Sequence, residues 1–364
     1  MADERKKDKT VRLAVGFYPD YLHYNYGISF DEKYFADPET RVEAQRVMAR
    51  KLHEKFGEYG LGHPNPPPKP LITYGMVMLP AVFGCEIVME KDKLPWANPL
   101  NLDDDAIMRL EVPDILNTSP MKEMVKQMDY LEAKYGKIVG DINTTGVLNL
   151  AMKLLGEDLY VDMFEKPEIV HRAMRIAAEA MIPLFKYVHA RTGTGAVDVT
   201  PMADPALYVE PACSVVMISG ATYEEFVLPY VNMVAGECHP FGIHHCGSID
   251  AVVNAYAKVK NLAFMEIGFV SNVARARKIL GYDVAANARI DPVKMLQETP
   301  DVIREDALSL IRQGRPYHNY SIDAVGCSYG TPDENVRAAY ETVGEFGGYN
   351  EEEEIEWMRA RAGA

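Results

Sequence analysis

A histidine and two cysteines are the residues of this sequence whose types and spacing could bind a metal ion. His244 and Cys246 lie in the stretch GIHHCGSID, residues 242–250, which predicts a short strand followed by a turn. Because side chains alternate along a strand, His244 and Cys246 are expected to face one side and His245 the other. Cys327, in the stretch SIDAVGC, is a third soft ligand.

Two thiolates and one imidazole suit Zn²⁺, and three protein ligands leave a fourth position open for a substrate, as in catalytic zinc sites. Packing is the competing interpretation, because free cysteine is among the most buried residue types. The remaining cysteines, Cys85, Cys213 and Cys238, show no ligand spacing, and we interpret them as packing residues.

Composition narrows the class of protein. The 364 residues carry a formal net charge of -15, which disfavours nucleic acids and anionic membranes as partners. The opening MADERKKDKT is polar, with no apolar leader, so residues 1–10 are predicted to be disordered and the protein to be cytoplasmic. In a reducing compartment the five cysteines are free thiols. The apolar run 70–89 is interrupted by glycine and proline, which predicts a buried strand rather than a membrane span.

Strand patterns alternate with helix patterns along the chain, which indicates a parallel sheet. About eight such units predict an α/β fold, a (β/α)8 TIM-type barrel, as a single domain over residues 1–364. An N-terminal segment rich in tyrosine and the Pro-rich loop GLGHPNPPPKP, residues 60–70, elaborate the barrel. No Gly-x-Gly-x-x-Gly turn follows the first strand, which lowers the dinucleotide-binding alternative. The predicted strands are 11–18, 137–141, 195–200, 242–246, 262–268, 283–290 and 318–325.

In such barrels the chemistry lies at the carboxyl ends of the strands. The three candidate ligands end predicted strands, and three more polar residues lie at or near the ends of others: Asn143, Asp204 and Glu266. This convergence predicts a single site. Glu266 is a candidate fourth zinc ligand or base, and equally a partner in a barrel salt bridge. Asp204 and Asn143 are candidates for orienting a substrate, although both residue types also cap turns.

Three further side chains are candidates for substrate binding. Arg289 could pair with an anionic substrate group or with a barrel carboxylate. Tyr18 and Tyr74 could line the pocket, and core packing is the alternative for both.

Four stretches together resemble the uroporphyrinogen decarboxylase-like superfamily over most of the chain. They are GEDLYVDMFEKPEIVH from Gly156, YEEFVLPY from Tyr223, the turn Ile290-Asp291-Pro292, and GTPDENV from Gly330. The decarboxylases of that superfamily carry an arginine-rich opening segment and an essential aspartate after the second strand. Here the opening segment GFYPDYLHYNYG holds no arginine, and LITYGMVMLP holds no acid.

The sequence therefore resembles the cobalamin-dependent methyltransferase branch of the superfamily, whose members bind zinc on a His-x-Cys…Cys pattern. The resemblance implies that His244, Cys246 and Cys327 bind zinc. It also implies an enzyme that moves a methyl group between a corrinoid and a small substrate, most simply a thiol such as coenzyme M. His245, and Ala288-Arg289 before the Ile290 turn, depart from the usual pattern and leave the substrate open.

The chain contains no Asp-x-His-x-x-Gly stretch of the kind that ligates cobalt, so a separate corrinoid protein is the expected carrier of methylcobalamin. The Pro-rich loop and the tyrosine segment are expected to help form its docking surface. Two alternatives stay open. One is a corrinoid-dependent O-demethylase acting on a methyl ether or a methoxylated aromatic compound. The other is a porphyrinogen decarboxylase-like or non-catalytic zinc-binding barrel.

Overall fold

The computed structural model describes residues 9–362 except 141, 143, 144 and 196–200. The strands are β1 Lys9–Thr10, β2 Arg12–Phe17, β3 Leu71–Ile72, β4 Ile87–Val88, β5 Trp96–Ala97, β6 Val139–Gly140, β7 Tyr208–Pro211, β8 Phe241–His244, β9 Leu262–Ile267, β10 Ala285–Arg289, β11 Tyr320–Cys327 and β12 Gly348–Tyr349.

The α-helices are α1 Pro19–Tyr26, α2 Glu32–Ala36, α3 Pro38–Phe56, α4 Met78–Val82, α5 Asp104–Arg109, α6 Met121–Tyr135, α7 Val147–Leu155, α8 Leu159–Glu165, α9 Pro167–Thr192, α10 Gly220–Thr222, α11 Leu228–Glu237, α12 Val253–Tyr256, α13 Val273–Leu280, α14 Pro292–Gln297, α15 Pro300–Gln313, α16 Asp333–Phe346 and α17 Glu351–Ala362. Short 3₁₀ turns cover Gly57–Tyr59, Gly75–Val77 and Cys213–Met217, and Tyr223–Val227 forms a π-helical turn.

Parallel strands with helices between them form a TIM-type (β/α)8 barrel. Six strands form one curled sheet in the order β2-β11-β10-β9-β8-β7, and β3 pairs with β6. The barrel strands in chain order are therefore β2, β3, β6, β7, β8, β9, β10 and β11, and the pairing of β11 with β2 joins the end of the chain to its beginning. The predicted fold class is confirmed.

Helix α3 shows how local sequence positions an element. Pro38 occupies the first helical turn, and the side chain of Asp37 caps the helix by accepting a hydrogen bond from the Glu39 backbone N–H at 3.1 Å. The sequence Asp37-Pro38 therefore determines where this helix begins. Between residues 249 and 258, only α12, Val253–Tyr256, is α-helical.

The structure contradicts the prediction for residues 1–10 at its last two residues. Lys9 and Thr10 were expected to be disordered, but they pair with β12 in antiparallel fashion, and residues 1–8 lie outside the described residues. The run 70–89 begins with the buried strand β3, in agreement with the prediction, and continues with a 3₁₀ turn, α4 and the short strand β4. Across the described parts of the chain, no helix combines the length and hydropathy needed to cross a membrane.

Strand β7 was not predicted. The predicted strand 195–200 lies outside the described residues except for Gly195, which forms a parallel bridge with Tyr208 at the start of β7. The segment from Pro205 to Pro211 shows no clear alternation of polar and apolar residues, so the residues that follow this strand were not recognised as part of the carboxyl face.

The two ends of the barrel differ in what they carry. The Pro-rich loop leads into the amino end of β3, and it lines a groove of about 440 Å³ with helix α3 and Lys137. The candidate metal centre lies at the opposite, carboxyl end, and the expected contribution of this loop to a docking surface stays a prediction. The tyrosine segment follows the carboxyl end of β2, and its Tyr18 and Tyr24 are exposed there.

Candidate metal centre

Strand register brings a second cysteine, Cys213, next to Cys246. Strands β7 and β8 are parallel, with Pro211 opposite His244, and the backbone N–H of Ala212 donates to the His244 carbonyl at 2.8 Å. Two residues beyond this pair, the Sγ atoms of Cys213 and Cys246 lie 2.9 Å apart. The interpretation of Cys213 as a packing residue was therefore wrong.

The imidazole of His244 completes the cluster. Its Nε2 lies 3.1 Å from Cys246 Sγ, and the ligand atoms of Cys213, His244 and Cys246 all lie within 4.8 Å of one another. This is the one group of three or more potential metal ligands within the described ranges, and Cys327 is not a member of it.

A carboxylate on the neighbouring strand orients His244. The pairing of β8 with β9 places Ile243 opposite Met265, so the next residues along, His244 and Glu266, are neighbours. His244 Nδ1 forms a short hydrogen bond with Glu266 Oε2. A metal-bound histidine commonly donates its other ring N–H to a carboxylate, which fixes the ring and leaves the second nitrogen free for the metal. Glu266 therefore holds His244 with Nε2 directed at the cluster.

The ion pairs continue across the barrel interior. Arg289 on β10 forms an ion pair with Glu266 and a second one with Asp323 on β11, at 3.1 Å from Nε to Oδ1. Asn287 also donates to Asp323. Glu266 and Asp323 are fully buried, and Arg289 is 7% exposed. Glu266 and Arg289 therefore form salt bridges inside the barrel, which was one of the two interpretations expected for each residue.

The hydrogen bond between the two neighbouring thiols shifts their pKa values in opposite directions. The hydrogen bond from Cys213, and then that from His244, lower the pKa of Cys246 against the opposing effect of burial. The same contact with Cys246, together with burial, raises the pKa of Cys213. Cys246 therefore has thiolate character, which is the form that binds metals, while Cys213 retains its proton and donates it to Cys246.

A β-bulge turns Cys327 away from this cluster. Strands β11 and β2 are paired with Ala324 opposite Val15 and with Cys327 opposite Phe17. Three steps along β11 thus correspond to two steps along β2, so one extra residue is inserted. Simple alternation from Asp323 would put Cys327 on the inner face. The extra residue puts it on the outer face, in the row of Val15 and Phe17.

The surroundings of Cys327 agree with an outward orientation. Its Sγ donates to the Ala324 carbonyl at 3.4 Å, it is fully buried, and it lies near Tyr21 of α1 and Tyr340 of α16, whose pKa values it influences. Burial raises the pKa of Cys327 to about 12, so it stays a thiol at neutral pH. In this structure Cys327 is a core residue between the sheet and the outer helices.

The other predicted site residues fall into different places. Tyr18 lies beside the cluster, since burial raises its pKa and the charges of Cys246 and Arg289 also act on it. Tyr74 packs edge-on against Phe35, at 5.9 Å between ring centroids, as core packing predicted. Asn143 lies outside the described residues.

Asp204 is placed away from the cluster. It is exposed, its Oδ1 accepts from the Ala206 backbone N–H at 2.9 Å, and it precedes the amino end of β7. The nearby Met202 carbonyl accepts from Arg12, at the first residue of β2. Asp204 therefore caps a turn at the amino end of the barrel, and its expected catalytic position was wrong because β7 follows this loop rather than ending before it.

His245 shows that the alternation predicted for β8 is correct. Its Nδ1 lies 2.7 Å from the hydroxyl of Tyr256 on α12, on the side opposite to His244. Burial lowers the pKa of His245 to about 4, so this imidazole is neutral and serves packing.

The donor set fits zinc. One imidazole nitrogen and two sulfurs converge, Cys213 and Cys246 are partly exposed, and this combination of ligands is typical of catalytic Zn²⁺. With Zn–S bonds of about 2.3 Å, tetrahedral thiolates lie about 3.8 Å apart. The two sulfurs, now 2.9 Å apart, would separate by about 0.9 Å to hold the ion.

Comparison with known proteins gives the family. The model of the uroporphyrinogen decarboxylase (URO-D) family matches residues 71–346, which is more than half of the chain. The chain belongs to the uroporphyrinogen decarboxylase family. The match begins at β3 and ends with α16, so it contains all the residues of the cluster.

Relatives within this family include both methyltransferases and decarboxylases. The chain is 31% identical over 263 residues to a methylated-thiol–coenzyme M methyltransferase of Methanosarcina mazei, covering 71% of this chain and 67% of that protein. It is 25% identical over 189 residues to a uroporphyrinogen decarboxylase of Gloeobacter violaceus, covering 50% of this chain and 49% of that protein. These similarities support an enzyme, with a methyltransferase as its type.

A solved structure confirms the fold over nearly the whole chain. A methyltransferase from Methanosarcina mazei superposes with a TM-score of 0.67 and 18% sequence identity, covering 93% of this chain and 94% of that one. At this identity the likeness supports the barrel architecture alone.

Proposed function

We propose that this protein is a zinc-dependent methyltransferase that moves a methyl group from a corrinoid to a small thiol. The observation that carries the proposal is the cluster of Cys213, His244 and Cys246 at the carboxyl face of the barrel, with His244 oriented by Glu266. Similarity to a methyltransferase that acts on methylated thiols and coenzyme M supports the same substrate class.

The cluster supplies what thiol methylation needs. A free thiol has a pKa of about 8.5, so it is mostly protonated at neutral pH, whereas the thiolate is the nucleophile. A zinc ion held by the cluster would lower the pKa of a bound substrate thiol and keep it as the thiolate. His244 and Cys246 would hold two of the zinc positions, and Tyr18, whose pKa is raised by burial, lies close enough for the charge of Cys246 to raise it further.

The reaction balances without a further oxidant or reductant. The substrate thiol releases its proton to solvent, and a sulfur electron pair forms the new C–S bond with the methyl carbon. The Co–C bond breaks with its electron pair left on cobalt, so methyl-Co(III) becomes Co(I). The products are a methyl thioether and a Co(I) corrinoid.

The rim of the barrel mouth offers a surface for a corrinoid-carrying protein. Several exposed apolar side chains belong to the segments that follow the carboxyl ends of β2, β7, β9 and β11: Tyr18, Tyr24, Val216, Met217, Val270 and Tyr329. Apolar groups gathered around an active-site opening are typical of protein interaction sites. This distribution supports a separate protein as carrier of the corrinoid.

A methyl-transfer assay tests the proposal. Zinc-loaded protein is incubated anaerobically with methylcobalamin and coenzyme M, and the methyl thioether is measured by mass spectrometry while Co(I) is followed by absorbance. We expect transfer in the wild type and a decrease of more than about 100-fold in His244→Ala, which removes a ligand rather than an outer partner. Cys238→Ala, which changes a buried thiol outside the cluster, is the matched control.

Other outcomes decide between the alternatives. Demethylation of a methyl ether with cob(I)alamin, without thiol methylation, would replace the proposal with an O-demethylase. Release of CO₂ from uroporphyrinogen would replace it with a decarboxylase. An absence of all three activities in zinc-loaded protein would contradict the proposal.

A further inference from the structure

An apolar groove lies at the amino end of the barrel, away from the candidate metal centre. Its volume of about 440 Å³ falls within the roughly 300–1,000 Å³ of small-molecule sites. The Pro-rich loop and helix α3 form its walls. Pro70 and Val139, at the amino ends of the paired strands β3 and β6, complete the lining. The proposed methyl transfer makes no use of this groove.

Helix α3 presents a stripe of side chains to the groove. Gln45, Met48, Ala49 and Leu52 line it, and they follow the i, i+3, i+4, i+7 spacing that places residues on one face of a helix. All four are half-buried, whereas Phe56 at the end of the same helix is fully buried. The protein therefore covers this stripe only in part, and apolar contact with a bound molecule would remove further surface from water.

The Pro-rich loop forms a wall that is fixed in place by its own backbone. The N–H of His63 donates to the Ala49 carbonyl at 2.9 Å, which ties the loop to α3. Gly62 has a φ of +70°, and a Cβ atom there would collide with the same carbonyl, so this close approach requires glycine. The three prolines at 66–68 restrict the backbone further. A site that is formed in advance loses less conformational entropy when a ligand binds.

The charge of the groove is opposite to that of the whole protein. Lys69 and Lys137 line it, and none of the described residues that line it is acidic, although the chain has a formal net charge of -15. Lys51, on the same helix as the stripe, pairs with Glu54 at 2.7 Å. In contrast, neither Lys69 nor Lys137 forms an ion pair with any residue that the structure describes. Both ammonium groups are therefore available to an anion from outside the chain.

We propose that this groove binds a small organic anion with an apolar body, such as a medium-chain carboxylate. The apolar walls bury the hydrocarbon part of the ligand, and Lys69 and Lys137 pair with its carboxylate. Because the groove and the candidate metal centre lie at opposite ends of the barrel, binding here does not require zinc.

Calorimetric titration with three eight-carbon compounds tests the preference for an anion. Sodium octanoate is titrated into the full-length protein, and octan-1-ol and octylammonium chloride are titrated in parallel because they share its hydrocarbon chain. We expect octanol to bind roughly 2- to 30-fold more weakly than octanoate, which is the value of two exposed ion pairs. Octylammonium should bind more weakly still, because its charge is repelled by the two lysines.

Reversal of both charges tests the role of the lysines. The double variant Lys69→Glu, Lys137→Glu should lose octanoate binding and should bind octylammonium more tightly than octanoate. The matched control is Lys260→Glu, Lys278→Glu, which makes the same change in net charge at two exposed lysines that do not line the groove. Its affinity for octanoate should stay within about 2-fold of the wild type, since distant exposed charges are screened by salt. Circular dichroism checks that both variants are folded.

Methyl NMR shows where the ligand binds without relying on a charge variant. The protein is labelled at its methionine methyl groups, and the resonances of Met48 and Met108 are assigned from the variants Met48→Leu and Met108→Leu. Octanoate should shift the resonance of Met48, which lines the groove. The resonance of Met108, which is exposed on α5, should not move.

Each outcome decides the question. Equal affinities for octanoate and octanol, no binding of octanoate, or an unchanged affinity in the Lys69→Glu, Lys137→Glu variant would overturn the proposal. Binding of octanoate that leaves the Met48 resonance in place would overturn it as well. His244→Ala, which disrupts the candidate metal centre, should bind octanoate as the wild type does, so this site is tested separately from the proposed methyl transfer.

Discussion

Buried polar groups on the two faces of the barrel strands differ in how they are paired. On the inner face, Asp323, Arg289, Glu266 and His244 form a row of four side chains in which each charged group contacts the next across neighbouring strands. On the outer face, buried polar groups stand singly: Glu210 accepts from the first backbone N–H of α7, and His245 contacts Tyr256.

The difference shows how pairing decides the protonation state of a buried group. A buried charge costs several kcal/mol unless an opposite charge or several hydrogen bonds compensate it. On the inner face such partners are present. On the outer face, burial dominates: it raises the pKa of Glu210 to about 7 and lowers that of His245 to about 4, which favours the neutral forms. A metal site needs charged ligands, and it is on the inner face that opposite charges compensate the cost of burying them.

A substitution that interrupts the row of ion pairs on the inner face should give the largest loss in the free energy of unfolding. Arg289→Met removes the one cation that contacts both Glu266 and Asp323, leaving two buried carboxyl groups without it. We expect a loss of about 3–5 kcal/mol in the free energy of unfolding, measured by urea denaturation. Arg275→Met, at an exposed ion pair with Asp250, should cost less than about 1 kcal/mol. Equal losses in the two variants would show that the inner row does not act as a network.

The buried carboxyl group of Glu210 on the outer face should change how the free energy of unfolding depends on pH. Glu210 has a pKa of about 7 in the folded protein against 4.5 when unperturbed, so the folded state binds its proton more tightly. Its contribution is complete below about pH 4.5 and is lost as pH rises toward 7, because the unfolded state ionises first. Between about pH 5 and pH 8, the wild type should lose roughly 2–3 kcal/mol more than Glu210→Gln.

The control for Glu210 is the variant itself at acidic pH. Below about pH 4, where this carboxyl is protonated in both the folded and the unfolded state, the two proteins should differ much less in how their stability changes with pH. Parallel pH profiles of the two proteins over the whole range would contradict a neutral Glu210 and would remove the contrast between the faces.

The smallest effect should come from one hydrogen bond on the outer face. Tyr256→Phe removes the hydroxyl that contacts His245 Nδ1 at 2.7 Å and leaves that buried nitrogen without this partner. We expect a loss of about 1–3 kcal/mol in the free energy of unfolding. Tyr24→Phe, which removes an exposed hydrogen bond to Asp92, should change stability by less than about 0.5 kcal/mol. No difference between the variants would mean that water replaces the hydroxyl.

Much of the barrel was predictable because its local signals are strong. Alternation along β8 placed His244 and His245 on opposite faces, and capping by Asp37 placed the start of α3. Strand β7 was not predicted, because a four-residue strand that ends in proline shows too few alternating residues to be recognised. Cys213 follows this strand, so it was not recognised as a residue of the carboxyl face. The sequence signal that could have found it is its position two residues after that strand, as Cys246 is two residues after β8.

The bulge in β11 could not be predicted from the sequence either. The stretch SIDAVGC alternates as an ordinary strand would, and Gly326 is the only local indication of an irregularity. Because the side-chain period of a strand is two, one inserted residue moves Cys327 to the other face.

By itself, the sequence determined the barrel, the inward direction of His244 and the presence of thiols near the carboxyl face, since these follow from periodicity and from the order of the elements. Only the tertiary structure decided which thiol joins His244 and Cys246. That choice depends on the register between β7 and β8 and on the bulge between β2 and β11, and both are set by pairing between segments far apart in the chain.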